Sequence, residues 1–142
     1  MEENYILSVC GTQYTGEEPD KVELQTRAAY VMKNGTHYIS YKEYNEQNPD
    51  QPFRTTVKVD ANNVVTVIKG GDVYHNLILE KGVRHHCDYK TPYGTLFLGV
   101  FTEDVHIQLD EKGGTLEVAY NLDVDSELIS KNRLSLKLEE VH

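Results

Sequence analysis

The sequence VRHHCDYKTPYGTLFLGVFT, from Val83 to Thr102, indicates the fold more directly than any other stretch of this chain. Residues 91–94 (Thr-Pro-Tyr-Gly) predict a turn, because proline presets the angle that opens a turn and glycine accepts the positive φ that closes one. Before this turn, apolar and polar residues alternate, which is the period of a strand with one buried face. After the turn, residues 96–101 are apolar at both even-numbered and odd-numbered positions, so we expect both faces of that strand to be covered.

The length of this turn decides which side chains of the second strand face inward. A two-residue turn directs Leu96, Leu98 and Val100 inward. A three-residue turn with a glycine bulge directs Phe97 and Phe101 inward instead. The sequence leaves both alternatives open.

The rest of the 142-residue chain continues this pattern of short strand-like runs separated by turn signals. We predict about ten strands and no amphipathic helix. Consecutive hairpins pair neighbouring strands, and closure of the sheet removes its exposed edges. The expected fold is all-β, a single antiparallel up-and-down β-barrel that occupies residues 1–142 as one domain. Among the predicted runs are strands at 5–14, 21–33, 53–60, 64–69, 73–80, 104–110 and 134–138, with 123–130 as a polar connection.

Asn34-Gly35 is typical of a two-residue type I′ hairpin turn, and it fixes a register for the strands on either side. Pairing outward from this turn places Ala28 opposite Tyr41. The apolar residues of the first strand then share a face with the alternate residues of the second, so the pattern and the turn agree. A consequence is that Glu43 faces the core. The predicted pairs are Lys33 with Thr36, Met32 with His37, Tyr30 with Ile39, Ala28 with Tyr41 and Thr26 with Glu43.

The composition argues against several classes of partner. A net charge of -9 and a pI near 5.1 disfavour nucleic acid and anionic membrane surfaces, because both require clustered lysine and arginine. The acidic start, Met-Glu-Glu-Asn, does not resemble a signal peptide, and no apolar run reaches the roughly 20 residues of a membrane helix. Cys10 and Cys87 are expected to be reduced thiols, and the expected location is cytoplasmic.

A set of motifs, taken in order, carries a resemblance to a known family: YISYKE at 38–43, TTVKV at 55–59, Tyr89-x-Thr91-Pro92-Tyr93-Gly94, Tyr120-x-Leu122 and Ser130-x-Asn132. Together they resemble the YwiB-like family, small bacterial β-barrel proteins that form a domain of unknown function, over essentially the whole chain. The resemblance implies a calycin-like barrel, similar in architecture to lipocalins and fatty-acid-binding proteins. It implies no activity, and although such a barrel suggests an interior ligand, a fold alone does not define a function.

Polar-tipped residues on otherwise apolar inward rows are the candidate ligand contacts, because ligand pockets place few polar groups among apolar walls. They predict a non-catalytic binding module for a small, partly apolar ligand inside the barrel. A carboxylate on a core row needs a partner or water. Glu43 is therefore interpreted as a polar anchor for a ligand, as one half of an ion pair with Arg54, or as a side chain exposed at the end of its strand. The candidate contacts are Tyr41, Glu43, His85, Tyr89 and Tyr120.

Two other functions fit the same barrel. A filled barrel without a ligand would act as an interaction protein, with the outward Tyr38 and Tyr44 marking a surface for a partner or for a homo-oligomer. An enzyme would use His85 and Glu43 as acid and base, although no nucleophile motif supports catalysis and no catalytic residue is assigned.

Neither a metal nor a cofactor is predicted. A three-residue turn at 80–82 would gather His75, His85 and Cys87, all of them potential zinc ligands, on one face. A slip of one residue in the register would separate them. The preferred interpretation is a hydrogen-bonded core histidine beside a buried thiol.

Overall fold

The structure is a computed structural model that describes residues 3–16, 18–45, 48–70, 75–91 and 94–141. For Asn45, Asn48, Pro49, Gln51, His75, Tyr89, Lys90 and Thr91 it describes the backbone alone. Ten strands follow one another along the chain: β1 Tyr5–Tyr14, β2 Asp20–Lys33, β3 Thr36–Asn45, β4 Asn48–Val59, β5 Val65–Lys69, β6 His75–Leu79, β7 Arg84–Thr91, β8 Gly94–Asp110, β9 Gly113–Val124 and β10 Glu127–Glu140.

The strands form one antiparallel sheet in which sequence neighbours pair, and β1 also pairs with β10. The order is β6-β5-β4-β3-β2-β1-β10-β9-β8-β7, so β6 and β7 are the two ends of the sheet. The two ends contact each other, and the Cys87 thiol of β7 donates a hydrogen bond to the Asn76 carbonyl oxygen of β6 over 3.0 Å. The predicted all-β, up-and-down antiparallel barrel is therefore confirmed, as a nearly closed ring of ten strands. No helix in the described part of the chain is long and apolar enough to span a membrane.

The hairpin predicted from Asn34-Gly35 is confirmed in turn type and in register. Both residues have positive φ, 54° and 78°, as a type I′ turn requires. The pairs from Lys33 with Thr36 through Ala28 with Tyr41 are those predicted from the sequence, whereas the predicted pair of Thr26 with Glu43 is not formed. Glu43 lies two residues beyond Tyr41, on the same inward row.

The stretch from Val83 to Thr102 forms the β7–β8 hairpin. Thr91 pairs with Gly94, so two residues connect the strands, and these two lie outside the described part of the chain. This register is the two-residue alternative, because His85 pairs with the fully buried Val100 and Cys87 with Leu98. Phe97, on the other face, is 68% exposed.

Three predicted boundaries are wrong. β8 is one strand, Gly94–Asp110, where the sequence predicted a separate strand at 104–110. A β-bulge between Thr102 and Asp104 shifts the inward-facing side chains from even-numbered to odd-numbered positions, so the alternation in the sequence breaks as it would between two strands. β4 begins at Asn48 rather than Phe53. Its early part accommodates prolines because pairing with β5 begins only at Thr55.

The third wrong boundary is the predicted polar connection at 123–130. β9 runs to Val124 and β10 begins at Glu127, so only Asp125 and Ser126 connect them. Both have positive φ, 51° and 68°, which matches a type I′ turn without a glycine. The last strand is consequently 14 residues long.

The barrel has two unlike ends. The closed end carries the turns that follow β2, β4, β6 and β8, and the mouth carries the connections that follow β1, β3, β5, β7 and β9. At the closed end, the Tyr5 and Tyr30 rings meet edge to face at 5.2 Å, and Tyr30 stacks on His37 at 6.0 Å. The two phenols donate to backbone carbonyls of the β8–β9 turn, Tyr5 to Glu111 and Tyr30 to Asp110. These contacts seal that end of the barrel.

Candidate functional site

A cavity of about 410 Å³ occupies the half of the barrel toward the mouth. That volume lies within the range of small-molecule pockets in proteins. Most of its wall is apolar. Polar side chains enter it from β3–β5 and from β9–β10, on opposite sides of the ring, and Thr12, Gln13 and Asp20 lie between them on β1 and β2. The apolar wall consists of Val9, Val22, Leu24, Val57, Val67, Leu77, Leu79, Leu98, Leu122 and Leu134.

On the first polar wall, Glu43 lies within a short chain of hydrogen-bonding groups. The Thr55 hydroxyl, fully buried on β4, donates to Glu43 Oε2. The same carboxylate oxygen is 3.8 Å from Lys69 Nζ on β5. The carboxylate therefore has both a hydrogen-bond donor and a counter-charge, which is what a partly buried charge requires.

Tyr41 lies beside this group, nearly fully buried on the inward row of β3. Burial raises the pKa of its phenol well above the ordinary value, the Glu43 charge raises it further, and the Thr55 side chain partly offsets both. The phenol therefore stays neutral and acts as a hydrogen-bonding group of the cavity wall.

The second polar wall lies on β9 and β10, where Tyr120 pairs across the strands with Asn132. Both side chains line the cavity. The Asn132 amide donates to Ser130 Oγ over 3.0 Å, and burial raises the pKa of the Tyr120 phenol. Thr102, the partner of Tyr120 on β8, is fully buried and is not among the residues that line the cavity.

The structure brings three of the five predicted contacts together. Tyr41, Glu43 and Tyr120 all line the cavity. The side chain of Tyr89 lies outside the described part of the structure, so this residue stays a prediction. His85 is placed elsewhere: its Nε2 is 2.9 Å from Glu80 Oε1, beside the β6–β7 turn at the closed end.

The location of His85 bears on the other chemistries considered. Glu43 lines the cavity, and His85 is not among the described residues that do so. The two side chains therefore do not meet in the cavity at one substrate position, as an acid and a base would have to. Described histidine, cysteine and carboxylate side chains form no group of three that could hold a metal. The His75 side chain, a member of the zinc cluster considered above, lies outside this description. Cys10 and Cys87 are free thiols, and burial raises the pKa of Cys87.

Sequence reasoning named the wrong partner for Glu43. Arg54 instead donates to Ser40 Oγ over 2.7 Å and lies 3.8 Å from Glu3. The reason is strand geometry, because Phe53 pairs with Glu43 and Arg54 points to the opposite face of the sheet. Thr55 and Lys69, the actual partners, lie on the inward rows of β4 and β5. The pairing of Tyr41 with Thr55 and of Thr55 with Lys69 places both residues on the face of the sheet that carries Glu43.

Exposed apolar side chains surround the mouth. Tyr44 is 66% exposed and Phe97 is 68% exposed. Single exposed apolar residues are normal on a protein surface, whereas a group of them marks an interaction surface. Tyr38 is different: it is half-buried, and the Lys58 ammonium lies 5.9 Å from its ring. The exposed group, called the apolar rim below, consists of Tyr14, Val22, Tyr44, Leu96, Phe97, Leu128 and Ile129.

The fold and the cavity together define a class, the antiparallel β-barrel with an internal cavity of small-molecule size. Comparison with known proteins narrows this class. Residues 7–136 match the family described as Domain of unknown function (DUF1934), and the chain belongs to that family.

Two comparisons with individual proteins agree with each other. The chain is 28% identical over 118 residues to the uncharacterized beta-barrel protein YwiB of Bacillus subtilis (strain 168), covering 83% of this chain and 80% of that protein. The crystal structure of the YwiB protein from Bacillus subtilis superimposes with a TM-score of 0.84 at 25% identity, covering 97% of this chain and 92% of the other. The resemblance inferred from the sequence motifs is therefore confirmed.

Proposed function

We propose that this protein is a non-catalytic binding module that holds a small, partly apolar molecule inside its barrel. The observation that carries the proposal is the cavity of about 410 Å³, with apolar walls and polar groups on two opposite sides. Ligand pockets have this composition, in which apolar surface supplies affinity and a few polar groups fix orientation.

The contrast between the two ends of the barrel supports the same proposal. Tyr30 and its neighbours fill the closed end, whereas the mouth half is hollow and leads to the apolar rim. An eight-stranded barrel can be packed solid, and additional strands widen the interior. A ring of ten strands is thus wide enough to leave space that its own side chains do not fill.

The experiment that tests this proposal is native mass spectrometry of the freshly purified protein beside the same sample denatured. We expect an additional mass that disappears on denaturation. After extraction of any bound molecule, Nile red, a neutral dye whose fluorescence rises in apolar surroundings, should bind to the protein with a stoichiometry of one. Absence of both the additional mass and saturable dye binding would refute the proposal.

A matched pair of variants locates the binding. Leu122→Trp introduces a large ring into the cavity, and we expect it to weaken Nile red binding at least about fivefold, since the ring occupies ligand space. Leu128→Trp places the same ring at an exposed position of the apolar rim and should leave the affinity nearly unchanged. Equal effects of the two variants would place the dye outside the cavity.

A second candidate function, docking of a partner protein, is favoured by the apolar rim. Aromatic side chains are frequent anchors of protein interfaces, and Tyr44 and Phe97 are both exposed there. Analytical ultracentrifugation tests self-association directly: a concentration-dependent dimer that Phe97→Ser abolishes would support this candidate. A monomer at all concentrations would remove the homo-oligomer from consideration.

A further inference from the structure

The wall formed by β8, β9 and β10 contains a row of neutral polar side chains, here called the polar band, which consists of Thr102, Tyr120 and Asn132. Tyr120 is the cross-strand partner of both other residues. All three lie on the inward row of their strands, and Tyr120 and Asn132 line the cavity. Thr102 is buried beside them and is not among the residues that line the cavity, so Tyr120 and Asn132 form the part of the polar band that faces the cavity.

The hydrogen-bonding capacity of the polar band is largely unused. Thr102 Oγ1 is completely buried and has no hydrogen-bond partner within the described residues. No described group bonds to the Tyr120 hydroxyl either, whereas the phenols of Tyr5 and Tyr30 at the closed end both donate to carbonyls. An unpartnered buried hydroxyl lowers stability, because it has given up its hydrogen bonds to water. The Tyr120 hydroxyl belongs to a residue that lines the cavity, and a bound molecule that supplied its missing partner would offset that loss.

The polar band offers both kinds of hydrogen bond. The hydroxyl of Tyr120, which lines the cavity, can donate or accept. The Asn132 side chain donates from Nδ2 to Ser130, which leaves its carbonyl oxygen as an acceptor on the cavity wall. A ligand group that both donates and accepts, such as an alcohol or a primary amide, matches this set.

The charge of the cavity wall selects against ions. The polar band carries no charge, and Glu43 and Lys69 on the opposite wall compensate each other at 3.8 Å. The remaining charged residues of the wall, Asp20 and Arg133, are exposed and have opposite signs. A charged head group in the interior would therefore lack a counter-ion, and burying an unpaired charge is far more costly than burying a neutral polar group.

We infer that the ligand is an uncharged amphipathic molecule whose hydrogen-bonding head contacts Tyr120 and Asn132 and whose apolar body lies along Leu98, Leu122 and Leu134. This inference rests on the proposed function, because it requires that the cavity hold a ligand. It adds the chemical class of the head group and the wall of the barrel that recognises it.

The experiment compares four molecules with the same apolar chain as competitors of Nile red: octanol, octanamide, octanoate and octylamine. At neutral pH the first two are uncharged, the third is an anion and the fourth a cation. We expect octanol and octanamide to displace the dye at concentrations at least about tenfold lower than either ion. That ratio corresponds to about 1.4 kcal/mol of selectivity.

Two variants test the polar band by separate measurements. Tyr120→Phe deletes only the hydroxyl, and we expect it to weaken the binding of octanol and octanamide about tenfold. Thr102→Val keeps the shape of the side chain and should raise the melting temperature of the unliganded protein, because it removes an unpartnered buried hydroxyl. The second measurement is independent of the first, so a folding defect in one variant would not obscure the result.

The outcomes separate this inference from the proposed function. Displacement of Nile red by octanoate or octylamine as readily as by octanol would overturn the neutral head group and leave the binding function in place. Unchanged affinities in Tyr120→Phe would overturn the assignment to the polar band. Failure of Nile red to bind at all would refute the proposed function and this inference with it.

Discussion

The two ends of this barrel use the same residue type in opposite ways. At the closed end, Tyr5 and Tyr30 pack against each other and donate to carbonyl oxygens, and Tyr30 OH is also 2.7 Å from His37 Nδ1. In the mouth half, Tyr120 faces a cavity, and no described group bonds to its hydroxyl. The closed end therefore uses these phenols in packing and in hydrogen bonds within the protein. The Tyr120 hydroxyl in the mouth half has no hydrogen-bond partner among the described residues.

This difference teaches where the stability of the fold originates and where a function can lie. Complete packing and satisfied hydrogen bonds stabilise a protein, and interiors normally reach both. A hollow half with unpartnered hydroxyls lowers stability, and sites with this property are frequently those that bind or react. Substitutions at the two ends should therefore have different effects, from large losses at the closed end to small or favourable changes around the cavity.

The largest effect is expected at Gly114, where β9 begins near the closed end. Gly114 has a φ of 135°, and a Cβ there would overlap the carbonyl oxygen of Gln108. Gly114→Ala combines an unfavourable backbone conformation with a clash against backbone, and we expect a loss of about 3 kcal/mol or more. Thermal unfolding followed by circular dichroism should show a melting temperature lower by about 10 °C.

Gly11→Ala in the mouth half is the matched control. Gly11 also lies within a strand, but a Cβ there would meet no atom within 4 Å. We expect its stability to remain within about 0.5 kcal/mol of the wild type. If the two alanine variants lost similar stability, the contrast between a tightly packed end and an open end would be wrong.

The next effect compares two phenols by the same deletion of one oxygen. Tyr30→Phe removes the bond to the Asp110 carbonyl and the contact with His37, so we expect a loss of about 1–2 kcal/mol. Tyr120→Phe removes a hydroxyl that bonds to no described group, so stability should be unchanged or slightly higher. Urea unfolding at neutral pH measures both. Equal losses would show that the Tyr120 hydroxyl is satisfied in solution.

Much of this architecture could be predicted from the sequence, because it follows from local rules. Asn34-Gly35 determined the first hairpin and its register, and the two-residue connection of β7 to β8 was one of two alternatives considered. The errors arose where a local rule has an exception. The bulge at Thr102 shifts the inward parity and hides the continuity of β8, and Asp125-Ser126 adopts positive φ without a glycine.

The site was harder to predict than the fold because it depends on strands that are distant in sequence. Tyr41, Glu43 and Tyr120 were identified because each is a polar residue on an apolar row. Asn132 was not identified as a site residue, although it lies on the inward row of β10 together with Leu134. The sequence alone could not show that this row faces a cavity, since cavity volume depends on how the whole ring closes.

The smallest expected effect is a pH dependence that sharpens the comparison between the two ends. Burial raises the pKa of Tyr120 above the ordinary value of 10.0, so the unfolded chain loses this proton first as the pH rises. The contribution of the neutral phenol to stability is intact below about pH 10 and is lost as the pH rises toward the pKa of the folded state.

Tyr120→Phe removes this titration, so above about pH 10 the wild type should lose stability more steeply than the variant, by up to about 1.4 kcal/mol per pH unit. Urea unfolding of both proteins from about pH 8 to about pH 11 measures the difference. Tyr44→Phe, at an exposed position of the apolar rim, should follow the wild type throughout. If the curves of wild type and Tyr120→Phe stayed parallel, the phenol would already be in contact with water, and its hydroxyl would not be an unpartnered group for a ligand to satisfy.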